Sequence, residues 1–281
     1  MRTPRILFTL VTMGTVGMIL AAVAMAATIT GTDRGERLRG TNAGDTINGN
    51  GGRDKIQAFA GDDIVTGGAG GDFIIAGKDA DNVSGNGGWD LILGGSGNDP
   101  VLNGDDGRDR VHGGDGDDSL DGGAHGDLLW AGDGTDTTSG GDGNDRIAGG
   151  RGNDTSNGGN GNDLIFANLG VDTTDGGAGN DYLWAMARGD VNRDVELDTT
   201  GDNLTGGEGD DRFRVRDGEV DQISCGPGND TAWVDNVDQI DGLPAGQNGS
   251  CETVHRAAPK SKDAKQGAKQ DRDKGERRDN R

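Results

Sequence analysis

A nine-residue period runs through most of this chain, and so short a period restricts the fold to a stack of small, similar coils. Read in nines, the residues are GTDRGERLR (31–39), GTNAGDTIN (40–48), GNGGRDKIQ (49–57), AFAGDDIVT (58–66) and GGAGGDFII (67–75). The phase continues to GGSGNDPVL (94–102), skips one residue at Asn103, and resumes at Gly104. It then runs to Arg193 through GGDGDDSLD (113–121), GGDGNDRIA (140–148), GGNGNDLIF (158–166) and GGAGNDYLW (176–184). A three-residue insertion, Asp194 to Glu196, precedes four more repeats that end near Trp233. Of these 22 repeats all but the first carry Asp at the sixth position, where the first has Glu36, and the eighth is Val, Ile, Leu or Phe in 17. Low-complexity disorder does not account for an apolar residue two places after each acid.

Composition says what such coils must do without. The 281 residues include 57 glycines and only ten Phe, Trp or Tyr, too little apolar surface to offset the ordering entropy by burial alone. Net charge is -22, and residues 27–255 hold 44 acidic against 15 basic side chains. A compact body that acidic is self-repulsive unless cations bind it, which favours a divalent ion and disfavours nucleic acid as its partner.

The pattern G-G-x-G-x-D-x-U-x resembles the repeats-in-toxin (RTX), or haemolysin-type calcium-binding, family over about residues 31–233. The resemblance implies an all-β fold, a right-handed parallel β-roll in which G-G-x-G-x-D turns, x-U-x forms a short strand, and two repeats complete a coil. It also implies multiple Ca²⁺ ions between neighbouring turns. Their ligands would be Asp45, Asp54, Asp63, Asp72, Asp81, Asp90, Asp99, Asp109, Asp118, Asp127, Asp136, Asp145, Asp154, Asp163, Asp172, Asp181, Asp211 and Asp230. Alternate repeats stack, so the family pattern pairs Asp54 with Asp72 and Asp145 with Asp163 on one flank, and Asp45 with Asp63 and Asp136 with Asp154 on the other. A carboxylate with glycine carbonyls is a hard-oxygen set suited to Ca²⁺. Sites are expected to weaken at Ala58-Phe59-Ala60 and at His125, and the two insertions to interrupt the metal rows.

Residues flanking the eighth position point outward. Alternate repeats there read FII (73–75), LIL (91–93), LLW (128–130), LIF (164–166) and YLW (182–184). Those between read NVS (82–84), SLD (119–121), TTS (137–139), TSN (155–157), TTD (173–175) and VNR (191–193). One sheet thus exposes Phe73, Ile75, Leu91, Leu93, Trp130, Phe166, Tyr182 and Trp184, a candidate surface for self-association or docking on a cell-surface polymer or glycan. The other carries a hydroxyl ladder of Thr137, Thr155 and Thr173, ordinary solvent-facing strand residues.

The ends carry separate signals. Arg2 and Arg5, an apolar run from Ile6 to Val23 and Ala24-Met25-Ala26 compose a signal peptide over 1–26, with an uncleaved anchor as the alternative. Either way the body is expected outside the cytoplasm, secreted or associated with a cell surface. There Cys225 and Cys251 are expected to form one disulfide, closing a cap over 234–255. Residues 256–281, with ten basic and five acidic side chains, read as a disordered tail. The acidic run Asp190 to Asp198 resembles the start of an EF-hand loop but has Val195 where glycine belongs.

No catalytic constellation is found: His112, His125 and His255 are dispersed, and no G-x-S-x-G occurs. The expectation is a non-catalytic, Ca²⁺-folded structural or adhesive protein. The alternatives are a carbohydrate-active enzyme or polysaccharide-binding module that uses one face, and a simple calcium buffer.

Overall fold

The computed structural model describes residues 25–185, 201–241 and 250–257. The apolar leader to residue 24, the acidic run 190–198 and the tail beyond 257 lie outside the described residues. Twenty-four short strands, from β1 (Thr28–Thr30) to β24 (Thr253–Ala257), form two 12-stranded sheets. Odd-numbered strands make the first sheet, even-numbered strands the second, and neighbours pair in parallel. Twelve coils of one strand from each sheet therefore stack as a parallel β-roll. At about 4.8 Å per coil the rod is roughly 55 Å long.

The period of two along each strand decides what is buried. Ile56, Ile74, Ile92, Leu102, Val111, Leu129 and Ile165 are fully buried between the sheets. Where the inward residue is polar it is also buried, as with Thr138, whose Oγ1 donates to Ser156 Oγ at 3.0 Å. Near this hydroxyl-lined stretch the core divides into one apolar cluster from Ile47 to Ile165 and another from Leu183 to Cys251.

Three expectations about register are corrected. The extra residue near 100 is Pro100, not Asn103: Asp81 pairs with Asp99 at a separation of 18, whereas Asn82 pairs with Val101 at 19. Proline has no N–H for the ladder, so it is the residue that bulges out. Leu102 then turns inward, and Val101 is 36% exposed. Second, the repeat expected at 185–193 falls largely on residues 186–193, outside the described residues, and no strand from it stands between its expected neighbours. Strand β17 (Thr173–Ala178) pairs directly with β19 (Asn203–Glu208), and β18 (Tyr182–Trp184) with β20 (Arg212–Val215). Third, the sheets do not stop at residue 233. Strands β23 (Gln239–Ile240) and β24 add one more member to each, and the Cys225–Cys251 disulfide ties this last coil to the one before it.

Candidate metal centre

The turn of each repeat brings its sixth-position acid to the flank of the roll because glycines supply conformations other residues resist. In the repeat 140–148, the second and fourth positions, Gly141 and Gly143, have φ of +99° and +152°. Phe59 and His125 occupy equivalent positions with φ of +91° and +80°, where a side chain is strained. First-position glycines serve a different purpose. A Cβ on Gly158 would lie 2.4 Å from both Gly176 O and Asp163 Oδ2, so its absence lets a carbonyl and a carboxylate oxygen converge there.

Two unbroken acidic rows result. On the flank leading into the second sheet, the N–H of each acid donates to Oδ1 of the acid one coil on. This row runs Glu36, Asp54, Asp72, Asp90, Asp109, Asp127, Asp145, Asp163, Asp181, Asp211 and Asp230. It ends where Asp230 N–H donates to Glu252 Oε2 at 2.7 Å. On the other flank the row runs Asp45, Asp63, Asp81, Asp99, Asp118, Asp136, Asp154, Asp172, Asp202, Asp221 and Asp238. The stacking partners expected from the family pattern are thus adjacent in these rows. The expected interruptions are not seen in the carboxylate stack: Asp90 reaches Asp109 at 2.7 Å across the Pro100 bulge, and Asp181 reaches Asp211 at 2.9 Å across residues 182–210. The extra residue at Pro100 leaves the coil between turns, so the next turn regains its register, and Tyr182 likewise pairs in register with Arg212.

Five row members were not among the expected ligands: Glu36, Asp202, Asp221, Asp238 and Glu252. The signal for them is the acid two places before an inward apolar residue, as Asp221 precedes Ile223 and Glu252 precedes Val254.

The rows bury carboxylates without satisfying them. Asp127, Asp145 and Asp163 are each 1% exposed, and their Oδ2 atoms, like those of Asp54, Asp90 and Asp118, have no hydrogen-bond partner. A buried unpaired carboxylate oxygen is costly unless a cation or proton meets it. Burial pushes the carboxyls of Asp81, Asp90, Asp118, Asp127 and Asp181 up to about 7. The backbone N–H that each accepts pulls the other way, and carboxylates one coil distant push up again. At the last coils Asp221 is pushed up to about 9, by burial first and then by the charge of Asp217.

Among the described residues no three His, Cys, Asp or Glu side chains converge on one point. A metal here would take one carboxylate oxygen per coil, and backbone oxygens such as Gly176 O beside Asp163 Oδ2 would complete its shell. All are hard oxygen donors, the class that Ca²⁺ takes in flexible shells of six to eight. The residues fit the ion.

The eight expected interface residues all lie on the outer face of the second sheet. Trp130 and Tyr182 are 38% and 40% exposed, and the other six are half-buried by neighbours along the sheet. The strip is not purely apolar, because Arg110, His112 and Arg146 share its columns.

A family model described as the RTX calcium-binding nonapeptide repeat, in four copies, matches residues 39–74, 66–99, 103–138, 127–155 and 149–183. Together these cover half of the chain. No curated protein matches it.

Proposed function

Because the chain belongs to the RTX calcium-binding nonapeptide repeat family, we propose that it is a structural or adhesive protein that folds on Ca²⁺ outside the cytoplasm, secreted or held at a cell surface. The observation that carries this reading is the double row of buried carboxylates, in which Oδ2 atoms such as those of Asp63, Asp90, Asp127, Asp145 and Asp163 have no hydrogen-bond partner. With those groups ionised and no cation present, the roll is opposed by desolvation and by repulsion along both rows. Bound Ca²⁺ supplies the positive charge that offsets both. Sixth-position carboxylates and first-position glycine carbonyls would hold it, so binding free energy becomes folding free energy.

Such a chain stays unfolded where Ca²⁺ is scarce and folds where it is plentiful, a logic suited to export. The leader-like residues 1–26 support that reading, and so does the Cys225–Cys251 disulfide, a bond favoured in oxidising compartments. A structural role also fits the regular surface, in which two long faces of different chemistry run the length of the rod.

Titrating Ca²⁺ into the EGTA-stripped chain, followed by far-UV circular dichroism and sedimentation velocity, tests the proposal. A cooperative gain of β signal with compaction is expected. A chain already folded in EGTA at pH 7.5 and indifferent to Ca²⁺ would overturn it.

A further inference from the structure

Charge is sorted between the two faces in a way the net charge of -22 conceals. The outward positions of the second sheet carry Arg37, Arg39 and Lys55 toward one end, Arg110 and Arg146 in the middle, and Arg212 and Arg214 toward the other. All seven are exposed, and no Asp or Glu shares those columns. The outward positions of the first sheet hold no Lys or Arg, and they include Asp121 and Asp175. Among the described residues the ion pairs are His125 with Asp106 and Arg151 with Asp133, so none of the seven cations is paired with a carboxylate.

The same columns hold the aromatic rings, and toward the end of the rod they form a continuous ladder. In register along five coils stand Phe166, Trp184, Arg214, Trp233 and His255. Phe166 meets Trp184 edge-on at 5.5 Å, and Arg214 lies over Trp184 at 5.1 Å and over Trp233 at 5.6 Å. Trp233 stacks on His255 at 5.4 Å, and in the adjoining column Arg212 lies over the Tyr182 ring at 4.9 Å. Stacking on rings holds each guanidinium flat; Arg212 also donates one N–H to the Tyr182 hydroxyl, and its remaining donors, with those of Arg214, can meet a carboxylate.

Building on the reading of an extracellular Ca²⁺-folded roll, we propose that this strip binds a single chain of an acidic, uronate-bearing polysaccharide laid along the rod axis. The apolar C–H groups of successive pyranose rings would lie against the outward edges of Tyr182, Trp184 and Trp233, whose faces the arginines and His255 cover, and their carboxylates would meet Arg212 and Arg214. The dimensions agree with one chain. Two outward positions two residues apart define a track about 7 Å wide, with one rung every ~4.8 Å. Charge decides between occupants. A second copy packed symmetrically would set seven cations against seven, and the basic residues 256–281 repeat the sign of the strip. A double helix is too wide for a track bounded by acidic turns.

The test is calorimetric titration of the full chain in saturating Ca²⁺ with three probes: a short oligogalacturonate, a neutral cello-oligosaccharide of equal length, and oligo(dT). Salt-sensitive binding of the oligogalacturonate is expected, with the neutral sugar bound far more weakly. The double variant Arg212→Gln/Arg214→Gln should weaken it at least about tenfold while the Ca²⁺-loaded circular dichroism and melting stay unchanged. Thr155→Ala, on the opposite sheet, should change nothing. Absent binding, binding unaffected by the double variant, or a preference for oligo(dT) overturns the proposal. A chain that stays unfolded in Ca²⁺ overturns both readings, whereas a folded chain that ignores the oligogalacturonate overturns only this one.

Discussion

Replacing Asp127 by asparagine should move stability in opposite directions with and without calcium, because the two states ask different things of the same side chain. Asp127 Oδ1 accepts the N–H of Asp109 at 2.7 Å, Oδ2 has no partner, and the residue is 1% exposed. An asparagine carbonyl keeps the first contact and removes the charge. In the metal-free fold, raising this carboxyl from 3.8 to about 7 makes ionisation cost on the order of 4 kcal/mol above pH 7. Burying the new amide returns about 1–3 kcal/mol of that cost. A net gain of about 1–3 kcal/mol is therefore expected in EGTA. With Ca²⁺ the variant loses one charged oxygen from its row, and a loss of at least about 2 kcal/mol is expected. The assay pairs urea melts in Ca²⁺ with the pH midpoint of folding in EGTA, both read by circular dichroism. The variant should melt earlier in Ca²⁺ and fold at higher pH in EGTA. A variant destabilised equally in both would show that the carboxylate is not under strain without a cation, and the reasoning would fail.

Three further outcomes follow from the geometry. In EGTA the wild-type chain should lose β signal as pH rises from about 4 through 7. Carboxyls raised from 3.8 to about 7 favour the fold while protonated, and that stability is gone above the raised value; a pH-independent signal would contradict this. Gly159→Ala puts a Cβ 2.1 Å from Gly141 O at φ +100°, whereas Gly87 has nothing within 4 Å of its Cβ position. The first change should cost several times the ~1 kcal/mol of an ordinary glycine effect and Gly87→Ala less than about 0.5 kcal/mol, as urea melts in Ca²⁺ would show. Cys225→Ser with Cys251→Ser opens a loop of 26 residues and should cost about 3 kcal/mol, felt first as faster hydrogen exchange in β22 (Thr231–Asp235) and β24.

Much of this architecture is legible in the chain itself, for local reasons. Positive φ is needed twice per turn, so glycine recurs. The sixth residue ends the turn on the flank of the roll, just before the strand, so an acid recurs there, and the eighth points inward, so Ile, Leu or Val recurs. Reading alternate repeats apart also separates the sheet bearing Phe73, Trp130 and Tyr182 from the one bearing Thr137, Thr155 and Thr173. Such features depend on one repeat at a time, and most of the strands obey them, with Thr138, Ser156 and Thr174 the inward exceptions.

What the tertiary structure alone decides is register and partnership between coils. Whether Pro100 or Asn103 bulges depends on which N–H finds a carbonyl one coil away, and proline has none to offer. A repeat can be read locally in 185–193, yet β17 pairs directly with β19. That Oδ1 meets a backbone N–H while Oδ2 is left unpaired, and that arginines of distant coils line one strip with the aromatics, are facts about stacking. Parallel neighbours lie 17, 18, 19, 22 or 30 residues apart here, so pairing is settled by contacts no local pattern encodes.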